Sequence, residues 1–157
     1  MSDNAFLQSL HPVLTHRHGA IYYDPDHHVV VLLAQSTYLP YEHFLHFLQT
    51  IEQLADRQPV EAMIFDKSSL KIFHQPSMEW YHVVWKENMY RKGLRTYRKV
   101  LPPDPLFKES VRIGRERIER ENPGFQISKF DIRYASSLQE AWAGVTARST
   151  PNGGNPM

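Results

Sequence analysis

Ala62-Met63-Ile64-Phe65-Asp66 is a short, unbroken apolar run closed by an aspartate. A run of this length that does not alternate reads as a strand covered on both faces, as in a parallel sheet. Upstream, Phe44, Leu45, Phe47, Leu48, Ile51, Leu54 and Ala55 recur at helical spacing behind Pro40 and stop at Arg57-Gln58-Pro59. Before that helix, Ala20 to Tyr23 and Val29 to Ala34 flank Asp24-Pro25-Asp26-His27-His28, which has the turn chemistry of an antiparallel hairpin.

Downstream, Ser77 is the expected N-cap of a helix running to about Lys92, with Gly93 as its stop. Thr96 to Leu101 is the next strand, and Asp104-Pro105 opens a third helix with an inner stripe of Phe107, Val111, Ile113 or Gly114, and Ile118. Phe130 to Ala135 reads as a strand, and Ser137-Leu138-Gln139-Glu140 is a capping box for a last short helix. The order β-β-α-β-α-β-α-β-α predicts an α/β fold: a single mixed, mostly parallel five-stranded sheet with helices packed on it. Residues 19–147 form this domain, residues 1–18 an N-terminal arm, and residues 148–157 a disordered tail.

The composition fits one globular domain of 157 residues, 41% hydrophobic and 22% charged. Eighteen Lys plus Arg against seventeen Asp plus Glu argues against a dedicated nucleic-acid protein. The absence of cysteine excludes disulfides and thiolate chemistry. With neither a signal-peptide pattern nor an apolar run long enough to span a bilayer, a cytoplasmic location is expected.

No Gly-rich phosphate loop, nucleophile elbow or zinc-protease motif is present. Asp66 at a strand end is a conceivable general base or magnesium ligand, but such an aspartate ordinarily caps a turn. Among nine histidines, His16-x-His18, His27-His28 and His43-x-x-His46 have short spacings, yet three pairs on three elements define no single site. No metal, cofactor or catalytic residue is therefore assigned. The basic run Lys86, Arg91, Lys92, Arg95, Arg98 and Lys99 reads as a helix end followed by a solvent-facing strand. On the helix before it, Met78, Tyr81, Trp85 and Met89 line one stripe, and Trp80, Val83 and Val84 widen it. Glu79, His82 and Lys86 form the polar strip. The arm or the last helix is expected to cover the excess apolar face.

Met63-Ile64-Phe65-Asp66, then Leu70-Lys71-Ile72-Phe73, Trp80, Trp85, Gly93, and Phe130 through Trp142 together resemble the STAS family of anti-sigma-factor antagonists and sulfate-transporter domains. The likeness is to its bacterial, CRAL-TRIO-compared branch and covers about residues 19–145. It implies a phospho-regulated interaction module with a serine at the start of the second helix. Here that turn is His74-Gln75-Pro76-Ser77, which departs from the family's Asp-Ser-Ser-Gly pattern.

The resulting expectation is a non-catalytic bacterial regulatory module that binds another protein through residues 66–85. Its contact residues are Asp66, Ser68, His74, Ser77, Trp80, Tyr81 and Trp85. The alternatives are a small enzyme or small apolar-ligand binder at the strand ends near Asp66, and a weak nucleic-acid binder through residues 86–99. An enzyme requires a polar, enclosed pocket at the strand ends, and a nucleic-acid binder a contiguous basic face.

Overall fold

In a computed structural model describing residues 3–147, the two apolar runs pair in parallel, Val31 opposite Ile64. They are β3 (Val29–Ala34) and β4 (Ala62–Asp66), joined by the helix α2 (Tyr41–Arg57). β2 (Gly19–Asp24) forms the antiparallel hairpin with β3, as its turn chemistry requires. β5 (Thr96–Val100) and β6 (Asp131–Ala135) extend the parallel part, each entered through a helical crossover.

The sheet has six strands in sequential order, not five. The additional strand is β1 (His11–His16), which pairs antiparallel with β2 across a bulge between Pro12 and Leu14. A short helix, α1 (Asp3–Gln8), precedes it. Residues 3–16 of the expected arm are thus part of the fold, while the expected disordered tail at residues 148–157 lies outside the described residues.

Because side chains alternate across a strand, β4 and β5 serve two layers. Met63, Phe65 and Tyr97 join a core with Phe44, Leu48, Tyr81 and Trp85, on the face that carries the crossovers. Ala62, Ile64 and Val100 join Phe6, Leu10, Leu138, Ala141 and Val145 on the other. That second face is covered by α1 and α6 (Leu138–Thr146). The capping box holds: Glu140 N–H donates to Ser137 Oγ at 3.1 Å, and Glu140 Oε1 accepts from Ser136 N–H at 2.7 Å.

The crossover from β4 to β5 is not one continuous α-helix. α3 (Gln75–Trp80) gives way to a π-helical turn at Tyr81–Trp85, and α4 (Lys86–Arg91) completes it. π turns widen a helix by one residue and recur at functional sites. Gly93, with φ +109°, then turns the chain in a conformation that favours glycine. α5 (Pro105–Glu121) begins as expected, with the Asp104 carboxylate accepting from Leu106 N–H at 3.0 Å. Among the described residues no helix is long and apolar enough to cross a membrane.

Candidate functional site

Strand parity continued one residue past β4 carries Lys67 to the face occupied by α3 and α5, and the same parity on β5 carries Lys99 there. Both are buried, as are Lys86 and His82 on the helix above. Three lysines and a histidine therefore converge at the carboxyl ends of β4 and β5, where the crossovers of an α/β sheet ordinarily place their sites. This corrects two expectations. His82 and Lys86 form no solvent-facing strip, and β5 is no solvent-facing strand.

No carboxylate compensates these cations. Among the described residues no ion pair involves Lys67, Lys86 or Lys99. Lys86 Nζ is hydrogen-bonded to His82 Nδ1 at 3.1 Å and lies 4.7 and 4.5 Å from the ring centroids of Tyr81 and Tyr97. Lys67 lies 3.8 Å from Met78 Sδ and 4.8 Å from the Phe65 ring centroid. Lys99 and Lys86 lie close enough to shift each other's proton affinity. Two unit charges 4 Å apart repel by about 4 kcal/mol at an effective dielectric of 20, more than the roughly 1 kcal/mol a hydrogen bond returns. Without an anion between them, charges on Lys86 and Lys99 oppose each other.

The proton affinities follow. Burial lowers Lys67 to about 8. Lys99 falls well below the ordinary lysine value, through burial first and then the charges of Lys86, Lys67 and Arg115. Lys86 falls likewise, through burial and then Lys67. His82 is held well below its ordinary range by burial and by Lys86, Lys99, Lys67 and Arg115. Burial raises the phenols of Tyr81 and Tyr97.

Three buried side-chain atoms here have no hydrogen-bond partner: Gln75 Nε2, Tyr81 Oη and Tyr97 Oη. Unpaired buried polar atoms are costly and rare in folded proteins, so their gathering around one lysine cluster marks the place. Lys67, Lys99, His82 and Gln75 line a cavity of about 20 Å³ between α3 and α5, room for one oxygen-sized group. Gly114 keeps α5 close: a Cβ there would come within 2.9 Å of Gln75 Oε1.

Outside this cavity lies an open groove of about 860 Å³, bordered by Val100, Leu101, Pro103, Lys108, Arg112 and Ser136, a volume suited to a small organic ligand. Val111, Arg115 and Tyr134 border both spaces. Arg115 Nη1 donates to Tyr134 Oη at 3.2 Å, so two of the side chains common to both spaces are bonded to each other. Arg112 is held by Glu109 and Glu116, whereas Arg115 forms no ion pair among the described residues.

The residues singled out by sequence divide sharply. Asp66 is buried, and its Oδ1 accepts from Ser68 N–H at 3.0 Å, the turn-capping role. Ser68 is exposed and borders the outer groove. Ser77 is not the N-cap. His74 is: its Nδ1 accepts from Ser77 N–H at 3.2 Å, and the buried Ser77 hydroxyl lies 2.6 Å from the same nitrogen. Tyr81 and Trp85 are core residues, Trp85 Nε1 donating to Leu48 O at 3.2 Å, and Trp80 is half-buried against the core. The Tyr81–Trp85 side of the wide face is covered by α2 and the sheet, not by the arm or the last helix, and Val84 on its far side stays exposed.

The basic run is dispersed rather than continuous. Lys86, Lys99 and Arg98 are buried, Lys92 pairs with Asp56, and Arg95 lies over the Tyr90 ring. Arg98 reaches the opposite face of the sheet and pairs with Asp131 at 3.3 Å. His16, His18 and His43 do meet, with ring centroids 4.7–5.5 Å apart, His18 stacked on both His16 and His43 and the His16–His43 pair tilted. Among the described residues no group of three His, Cys, Asp or Glu is arranged to hold a metal ion.

Comparison with protein-family models and with curated proteins finds no match to this sequence.

Proposed function

We propose that this chain binds a small organic anion whose oxyanion head meets Lys67, Lys99 and Arg115 and whose body lies in the outer groove. One observation carries the reading: two buried lysines without a carboxylate partner among the described residues, Lys67 and Lys99, line a cavity beside the unpaired Gln75 Nε2, with the buried Lys86 close by. Such an arrangement destabilises the unliganded fold and becomes favourable when an anion enters, because each charge then gains a partner in a weakly screened site. This develops the strand-end ligand alternative, with an anion in place of a purely apolar ligand. The order of elements supports kinship with STAS-like modules as a further proposal. A serine phosphoswitch has no comparable support, since the Ser77 hydroxyl is buried against His74.

The test is thermal unfolding with acetate, pyruvate, hexanoate and inorganic phosphate at constant ionic strength, with hexanol as the uncharged control. At one hundred times its Kd a ligand adds about 2.7 kcal/mol. For a domain of this size that is a rise in Tm of roughly 5–11 °C. The increment should vanish in Lys67→Met/Lys99→Met. If no anion raises Tm beyond chloride at equal ionic strength, the reading fails. The phosphate and carboxylate arms distinguish the two head chemistries.

A protein partner at residues 66–85 is a separate proposal. Its apolar support is the exposed Ile72 beside Leu106 and Ile113 of α5, not the buried Tyr81 and Trp85. A Leu106→Asp variant that lost a partner yet kept anion binding would separate the two.

A further inference from the structure

Of the three buried lysines, only two line the inner cavity, Lys67 and Lys99, and they differ. Lys67 has no cation within hydrogen-bonding distance, and with its proton affinity lowered only to about 8 it stays mostly charged at neutral pH. Lys99 is buried near Lys86, whose amino group lies against two tyrosine rings and His82, and Lys99 itself lies 5.9 Å from the Tyr81 ring centroid. The groups facing Lys99 are thus Lys86, Lys67, Arg115, His82 and the uncharged Tyr81 and Tyr97, with no carboxylate among them. Every one of these charges favours the free amine. A free amine in a buried pocket beside the cations Lys67 and Arg115 is the arrangement that makes a lysine nucleophilic toward carbonyl carbon.

We propose that Lys99 forms an imine with the carbonyl group of a small oxo acid, while Lys67 and Arg115 hold its carboxylate. This rests on the anion-site reading above and adds covalent chemistry to it. The Lys99 nitrogen attacks the carbonyl carbon, the C–N bond forms, and the C=O π pair passes to oxygen, which takes a proton. His82 lines the cavity and carries the proton from nitrogen to oxygen. The C–O bond then breaks, and the oxygen leaves as water with both protons of the former amine. The product is a neutral C=N linkage plus one water, and no oxidant or reductant is consumed. Arg115 and Tyr134 border both the cavity and the outer groove, so the acid must part their bond and widen the cavity to reach Lys99.

The experiment is reductive trapping of the full chain with pyruvate and cyanoborohydride at pH 6.5, read by intact mass and peptide mapping, with acetone as the uncharged carbonyl. The expected result is a single adduct on Lys99, formed faster with pyruvate than with acetone. Lys99→Met should abolish it. Lys67→Met should slow the pyruvate reaction roughly tenfold or more relative to the acetone reaction, since a charge-assisted contact to the carboxylate is lost. Lys86 is a positioning residue: Lys86→Met should move the pH profile of trapping upward without removing the adduct. Pyruvate binding with no adduct, or with adducts scattered over surface lysines, overturns the imine and leaves the anion site standing. A single adduct on Lys67 overturns the assignment to Lys99. Neither binding nor adduct overturns both.

Discussion

Lys67→Met should make the unliganded protein more stable, by an amount that depends on pH in a defined way. Burial lowers the Lys67 ammonium from 10.5 to about 8, a difference of about 3 kcal/mol between its charged and neutral forms in the fold. At pH 7 the folded chain carries that charge with only Met78 Sδ and the Phe65 ring beside it. Methionine fills a similar volume without the charge, so the variant should gain about 3 kcal/mol at pH 7, or roughly 6–12 °C in Tm. Relief of repulsion on Lys86, Lys99 and His82 acts in the same direction. As pH rises through 8 toward 10.5 the folded wild type sheds the proton before the unfolded chain does, so its deficit closes and the two proteins converge. Urea unfolding of both at pH 7 and pH 10, with matched far-ultraviolet spectra, measures this. A variant no more stable than wild type at pH 7 would mean that the ammonium has a partner, and would sink the reasoning.

The wild type should also gain stability as pH rises from about 5 to about 10. His82 and the three lysines have lowered folded values, so the unfolded chain binds more protons throughout that range. Above pH 10 the trend should reverse, because Tyr81 and Tyr97 stay protonated in the fold while the unfolded phenols ionise; a maximum below pH 8 in a stability-versus-pH series would contradict this. His74→Ala should cost about 1 kcal/mol in urea unfolding by removing the α3 cap and leaving Ser77 without its acceptor. Gly114→Ala should leave stability within about 1 kcal/mol of wild type, since helix propensity offsets the displaced Gln75 amide. It should nevertheless weaken anion binding in a calorimetric titration, because Gln75 lines the cavity.

How much of this was legible in the sequence depends on how local each signal is. The β2–β3 hairpin, the α5 start at Asp104-Pro105 and the α6 capping box are written within a few residues, and all three formed as read. β1 was not legible: His11, Pro12 and Thr15 are exposed, the strand lies at the sheet edge, and only its pairing with β2 makes it a strand. The N-cap was displaced from Ser77 to His74 because an imidazole nitrogen can accept the same backbone bond, a role the usual preference for Ser, Thr, Asp and Asn hides. The lysine cluster was missed because lysine in a sequence stands for solvent. Two signals could have found it: Lys99 shares its strand face with Tyr97, and Lys86 adjoins the Tyr81–Trp85 stripe with His82 one turn before it.

The most direct test of the central claim is calorimetric titration of the wild-type chain with pyruvate at pH 7.5, repeated in two buffers of different ionisation enthalpy. An anion entering this site raises the lowered proton affinities of the lysines, so binding should draw protons from the buffer. Saturable binding with net proton uptake, lost in Lys67→Met/Lys99→Met, is the result the account predicts. Binding with no proton exchange that persists in the double variant, or no binding at all, would contradict it.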